Sequence, residues 1–148
     1  PSRCVEQLSN IADRTERFPG LGYEKALEIE GDKQHVAVHA VALAESVEAA
    51  GIIVITRRGI VADYVTAARP QHVPIFAFTN NSQTRRRLAM NRSVYAHRIA
   101  FSSDPEKTLR RAFDVLKKEG VAVDAKLVLI SDVLADQPTE AIQIRRLY

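Results

Sequence analysis

Three short runs of apolar, β-branched residues constrain the fold of this 148-residue chain more than any other feature. The runs cover residues 52–56, 73–79 and 126–131, and each is apolar almost throughout instead of alternating with polar residues. A continuous run of this length is typical of a strand that is buried on both faces of a parallel sheet. Segments with helical spacing separate the runs, so the alternation predicts βαβ units.

The helical segments carry recognisable start and stop signals. Asp104 followed by Pro105 predicts the N-cap and first turn of the helix before the third run. Asp32 is the predicted cap of an earlier helix, which Gly51 is expected to close. Ser82 is the predicted cap of the helix that follows the second run.

These elements predict an α/β fold class with three layers, α/β/α, and a mainly parallel five-stranded sheet. A weaker apolar segment at residues 94–101 supplies one further strand. Residues 142–145 alternate apolar with polar side chains, which is typical of an antiparallel edge strand. One extra N-terminal helix precedes the sheet, so the expected divisions are a helix in 1–19, a connector in 20–33 and the α/β domain in 34–148.

Composition limits the compartment and the classes of partner. The hydrophobic fraction of 46% suits one globular domain, and 21 basic against 18 acidic residues give a net charge of only +3. The arginines at 85–87 fan out around a helix instead of sharing one face, so we expect a solvated helix surface and no nucleic-acid partner. Cys4 is the single cysteine, and no apolar run is long enough to span a membrane. We therefore expect a cytoplasmic chain with no membrane partner.

Hydroxyl side chains end all three buried runs. In an open α/β sheet, ligands bind outside the carboxyl ends of the strands. The first run is also followed by two arginines, a glycine and a helix N-terminus, a combination that favours a phosphate group. The predicted phosphate-binding residues are Thr56, Arg57, Arg58, Gly59 and Ser131. The alternative is that the two arginines are solvated loop charges and that Thr56 is a helix cap.

Other candidate chemistry is weaker. His35 and His39 have the spacing of a two-histidine metal site, but the sequence offers neither a third ligand nor an adjacent catalytic glutamate. Surface or half-buried imidazoles are therefore the expected interpretation. The chain contains no glycine-rich nucleotide fingerprint and no P-loop, so we predict neither a catalytic residue nor a metal site within it.

Several spaced motifs resemble the C-terminal domain of pyruvate kinase. Residues 53–59 read Ile-Val-Ile-Thr-Arg-Arg-Gly, and residues 68–70 read Ala-Arg-Pro. Residues 73–88 follow the family pattern V-P-I-x-A-x-T-x-N-x-Q-T-x-R-x-L in type and order, and 91–95 read Asn-Arg-Ser-Val-Tyr. The first helix also resembles the last helix of that family's catalytic barrel, with Cys4 in place of an alanine.

The resemblance implies that catalysis takes place in a different domain of the parent enzyme. Pyruvate kinases transfer a phosphoryl group from phosphoenolpyruvate to ADP at a (β/α)₈ barrel, with magnesium and usually potassium. All catalytic residues and metal ligands lie in that barrel, so the resemblance places no cofactor in this segment. Its implied partners are the rest of the parent chain, the other subunits of a homotetramer, and a sugar-phosphate or nucleotide monophosphate effector. The effector's phosphate would occupy the loop from Thr56 to Val61.

The sequence departs from the family at this loop and at a second one. Two hydroxyl residues common in the family are replaced by Arg58 and Val61, and Arg58 is expected to compensate through a bidentate contact. Residues 132–138 contain two aspartates and no glycine, which disfavours a bisphosphate and leaves a monophosphate effector or none. Pro1 in place of a methionine favours a fragment of a longer protein. The alternative is a free-standing phosphate-binding protein of the same fold without kinase activity.

Overall fold

The computed structural model describes residues 2–18, 22, 28–131 and 141–148. Half of the predicted connector at 20–33 and all of the 132–138 loop lie outside the described residues. The helices are α1 (Ser2–Glu16), α2 (Asp32–Ser46), α3 (Ile60–Ala67), α4 (Ser82–Leu88) and α5 (Pro105–Lys118). The strands are β1 (Gly51–Ile55), β2 (Ile75–Thr79), β3 (Val94–Arg98), β4 (Lys126–Ser131) and β5 (Ala141–Arg146).

One five-stranded sheet organises the fold, with the strand order β3-β2-β1-β4-β5. The neighbouring pairs among the first four strands are parallel, and β5 runs antiparallel to β4 at the edge. The predicted α/β class, the mainly parallel sheet and the antiparallel edge strand are therefore confirmed. β1 is buried along its whole length, which explains why its sequence is apolar at every position.

The two faces of the sheet carry separate halves of the core. Ile52 and Val54 of β1 pack in a cluster with α2, α3 and the end of α4. Ile53 and Ile55 point to the opposite face and pack with α5. Successive strand residues point to opposite faces, so one apolar strand supplies both halves. The arrangement is the predicted α/β/α sandwich.

Both predicted boundaries of α2 are wrong. Gly51 does not close α2; it is the first residue of β1. A Cβ at this position would lie 2.4 Å from the Phe76 ring, so the glycine permits close packing between neighbouring strands. Asp32 is the first residue of α2, after Gly31, and makes no side-chain cap.

Side-chain caps explain where α4 and α5 begin. The cap of α4 is Asn81 and not Ser82, since the Asn81 side chain accepts from the N–H groups of Gln83 at 2.8 Å and Thr84 at 3.1 Å. The amide oxygen of Asn81 therefore satisfies two N–H groups of the first turn. Asp104 caps α5 as predicted, accepting from the Glu106 N–H at 3.0 Å.

The N-terminal helix α1 has an exposed apolar stripe. Val5 and Leu8 are each 66% exposed, and Ile11 is 61% exposed. These residues repeat at helical spacing and lie on one side of the helix. Neither cluster of the α/β core includes a residue of α1.

Candidate anion-binding site

The carboxyl ends of the parallel strands bring the predicted hydroxyl residues to one edge. Ile55, the last residue of β1, pairs with Phe78 on one side and Ser131 on the other. Thr56, Thr79 and Ser131 consequently lie next to one another, and all are buried. Chain connections leave β1 in one direction towards β2 and β3, while β4 lies on its other side. The reversal of strand order at this point is where open α/β sheets bind ligands.

The two threonines fix the backbone of the loop at residues 56–59. Thr56 Oγ1 accepts from the Gly59 N–H at 3.1 Å. Thr79 Oγ1 donates to the carbonyl of Arg57 at 3.2 Å and accepts from the Asn81 N–H at 3.2 Å. Both hydroxyl groups are thus engaged in shaping the loop. The alternative view of Thr56 as a helix cap is wrong, because the N-cap of the following helix, α3, is Gly59.

Cationic and N–H groups remain available at the same loop. Arg57 and Arg58 are exposed, and within the described residues neither side chain forms an ion pair. Helix α3 begins directly after the loop, at Ile60. In the described part of the chain, the N–H groups of Ile60 and Val61 have no protein acceptor, as is usual in the first turn of a helix. This combination of free N–H groups, helix dipole and guanidinium groups favours an anion.

Gly59 is required at the junction of the loop and α3. Its φ angle is +83°, in the left-handed region that glycine enters without strain. An added Cβ would lie 2.5 Å from Arg87 Nη2 and 3.1 Å from atoms of Thr84 and Leu88. Helix α4 therefore packs directly on the glycine.

Arg87 is a site-associated residue that the sequence reasoning missed. Its guanidinium donates to the carbonyl of Arg58 at 2.9 Å and to Asp63 Oδ2 at 2.7 Å. Asn91 Nδ2 donates to the other oxygen, Asp63 Oδ1, at 2.8 Å. We call the set of Arg87, Asp63 and Asn91 the Arg87 clamp. An ion pair as exposed as this one contributes only about 0.2–1 kcal/mol to global stability, so its main effect is local.

The expectation that the arginines at 85–87 form a solvated helix surface is therefore wrong for Arg87. It holds for Arg85 and Arg86, which are exposed and have no recorded side-chain partner in the described part of the chain. The partners of Arg87 lie on α3 and in the loop before it. Because these contacts join distant parts of the chain, no local spacing in the sequence indicates them.

A cavity of about 400 Å³ opens beside this edge, after β2 and β3. Asn80, Arg98, Ile99, Ala100 and Phe101 line it. Arg98 donates to Ser82 Oγ at 3.1 Å. The sequence reasoning missed this residue because Arg98 lies within a predicted strand. It adds another cation to the carboxyl edge of the sheet.

The two helical histidines do not assemble a metal site. His39 Nδ1 lies 2.8 Å from the carbonyl of His35, and both side chains are exposed. Among the described residues, no group of three His, Cys, Asp or Glu side chains is placed to hold a metal ion. No helix in the described ranges has the length and apolar character needed to cross a bilayer.

Comparison with known proteins gives consistent results. The family model described as "Pyruvate kinase, alpha/beta domain" matches residues 34–141. Pyruvate kinase isozyme G, chloroplastic, from Ricinus communis is 33% identical over 99% of this chain, which covers 36% of that protein. Pyruvate kinase isozyme A, chloroplastic, from Nicotiana tabacum is 32% identical over 68% of this chain, which covers 17% of that protein. The chain thus spans well under half the length of these relatives.

Solved structures show the same fold. A Cryptosporidium parvum pyruvate kinase in complex with ADP superposes with a TM-score of 0.74 at 23% identity. The match covers 82% of this chain and 25% of the other. A second structure of a pyruvate kinase from the same organism gives a TM-score of 0.72, also at 23% identity.

Proposed function

This chain belongs to the pyruvate kinase alpha/beta domain family, and we propose that it serves as the regulatory and oligomerisation domain of a pyruvate kinase. The parent enzyme would transfer phosphate from phosphoenolpyruvate to ADP in a barrel outside these residues, with magnesium and potassium bound there. The observation that carries the regulatory part is the unpaired cationic loop of Arg57 and Arg58 at the N-terminus of α3.

The loop suits a single phosphate group. Two guanidinium groups supply bidentate donors, and the first turn of α3 supplies backbone N–H groups. Thr56 and Thr79 hold the loop and leave its cations exposed. A sugar monophosphate or a nucleotide monophosphate is therefore the proposed effector class, with Ser131 as the neighbouring hydroxyl at the same edge.

Two exposed surfaces support contacts with other parts of the enzyme. The apolar stripe of α1 favours packing of that helix against the rest of the parent chain. At the β5 edge of the sheet, Ile144 is 50% exposed, and Tyr148, which follows the strand, is 53% exposed. Exposed apolar side chains on an edge strand favour a subunit contact. We propose that the assembly is the homotetramer implied by the family.

Isothermal calorimetry tests the effector site. Sugar monophosphates and AMP are titrated into the wild-type chain, into Arg57→Ala and into Arg58→Ala. Loss of one charged hydrogen bond costs about 1.5–3 kcal/mol, so affinity should fall about 10- to 150-fold for each arginine that contacts the phosphate. Arg110→Ala is the matched control, since Arg110 is an exposed arginine of α5 on the other face of the sheet. Equal losses in all three variants, or no wild-type binding, would contradict the effector assignment.

An activity assay tests the assignment of the chemistry to the barrel. The isolated chain is incubated with phosphoenolpyruvate, ADP, magnesium and potassium, and pyruvate is measured. No turnover above the uncatalysed rate is expected. Measurable turnover would show that the segment contains a catalytic site of its own.

A further inference from the structure

The Arg87 clamp links helix α4 to both components of the proposed phosphate site. We propose that Arg87 is a positioning residue for this site, although it does not itself contact the ligand. The inference rests on the proposed effector function. It assigns to Arg87 the placement of the loop and the neutralisation of a nearby carboxylate.

The Arg87 guanidinium contacts both the loop and helix α3. One guanidinium nitrogen of Arg87 binds the Arg58 carbonyl at 2.9 Å, and the other binds Asp63 Oδ2 at 2.7 Å. The two nitrogens belong to one rigid plane, so the two acceptors are held at a fixed separation. Arg58 belongs to the loop and Asp63 to α3. The side chain consequently fixes the loop relative to the helix whose N-terminus completes the site.

Arg87 also neutralises the charge of the Asp63 carboxylate. Asp63 lies in the first turn of α3, where its carboxylate would repel an incoming phosphate. Arg87 and Asn91 each donate to one of its oxygens. The clamp therefore pairs the acidic group that lies in the same first turn as the free N–H groups. Without Arg87, this carboxylate would face the anion with its charge unpaired.

Arg86 provides a direct comparison with Arg87. Arg86 lies on the same helix and is exposed, but it has no recorded partner in the described part of the chain. Arg86→Gln removes the same charge from the same element without breaking the clamp. It is the matched control for Arg87→Gln.

The experiment measures two quantities in each variant: affinity for AMP by calorimetry, and the hydrogen-exchange rate of the Gly59 amide by NMR. That amide is bonded to Thr56 Oγ1, so its exchange reports on loop order without any ligand. Arg87→Gln should lower the affinity about tenfold and accelerate exchange about tenfold. Arg86→Gln should change neither. Arg87→Lys should accelerate exchange as Arg87→Gln does, because one ammonium cannot reproduce the planar two-acceptor contact, and its charge should recover the affinity only in part.

A second variant separates the two roles. Asp63→Asn removes an anchor of Arg87 together with the repulsive charge. Exchange at Gly59 should accelerate as in Arg87→Gln, while the affinity for AMP should fall less. This difference also guards against a general loss of structure, which would accelerate exchange and lower the affinity to the same extent in both variants.

The results for these variants either support or overturn the role proposed for Arg87. Equal loss of affinity in Arg86→Gln and Arg87→Gln, or full recovery in Arg87→Lys, would mean that charge alone matters and would overturn the proposal. Unchanged Gly59 exchange in Arg87→Gln would overturn it as well. If the wild-type chain binds no phosphate compound while exchange accelerates only when the clamp is broken, the effector function fails and the positioning of the loop by Arg87 stands.

Discussion

At the residue scale, the shape of the site depends on side chains that form hydrogen bonds with the backbone of the loop. Thr56 is a predicted phosphate-binding residue, whereas Thr79 is expected only to end its strand at the same edge, and both hydroxyl groups bond to the loop. The sequence could predict where these residues lie because strand ends share one edge. It could not predict their partners, since Thr79 and the Arg57 carbonyl are brought together only by strand pairing.

Gly59→Ala tests the junction between the loop and α3. The substitution places a Cβ at a positive φ and 2.5 Å from Arg87 Nη2, so both the backbone and the clamp must shift. We expect a destabilisation of about 1–3 kcal/mol in urea unfolding, together with weaker AMP binding. Gly120→Ala is the control, because Gly120 also has a positive φ but nothing lies within 4 Å of an added Cβ. If the two variants bound AMP equally well, the packing of α4 on Gly59 would be irrelevant to the site.

The cap of α4 provides a second test at this scale. Asn81→Ala removes the acceptor for two first-turn N–H groups and should cost about 1 kcal/mol of unfolding free energy. Ser82→Ala should cost less, since Ser82 is not the cap and its hydroxyl accepts from Arg98. Chemical denaturation of both variants measures the difference. The reverse ranking would restore Ser82 as the cap.

At the element scale, periodicity was a reliable guide to strands and a poorer guide to helix ends. Runs such as Ile52 to Ile55 are buried on both faces, and that environment leaves a continuous apolar pattern in the sequence. Gly51 was misassigned because a glycine after a helix usually ends it, whereas this one accommodates the Phe76 ring. Such a contact between strands leaves no signal in the neighbouring residues.

Helix α1 should be energetically separate from the α/β core. Leu8→Glu changes a side chain that is 66% exposed, so the urea unfolding free energy of the chain should move by no more than about 0.5 kcal/mol. Leu109→Ala changes a fully buried residue of α5 and should cost about 2–5 kcal/mol. A large loss in Leu8→Glu would mean that α1 packs on the domain and would contradict the division into a helix at 1–19 and a domain at 34–148.

At the scale of the whole molecule, positive charge is concentrated at one edge of the sheet, although the net charge of the chain is only +3. The carboxyl edge of the sheet combines the exposed Arg57 and Arg58 with Arg98 at the neighbouring cavity. A field from exposed side chains is screened by salt within about 10 Å at 0.1 M ionic strength. The proposed site is therefore expected to be sensitive to ionic strength.

Salt titration measures this sensitivity. The affinity of the wild-type chain for AMP should fall steadily between about 0.05 and 0.5 M sodium chloride, and the Arg57→Ala variant should show a shallower dependence. Calorimetry at several salt concentrations gives both slopes. Parallel slopes would indicate that Arg57 does not contribute to the field at the site.

The sheet order also has a consequence for how the chain acquires its structure. β1 occupies the middle of the sheet, yet β4, one of its two neighbours, comes much later in the chain, after α3, β2, α4, β3 and α5. Contacts between such distant segments close large loops and slow the folding reaction. During synthesis, β1 can pair with β2 early, while its other edge stays open until β4 leaves the ribosome. A nascent chain at that stage exposes an apolar strand edge, which makes it a target for chaperones and for aggregation.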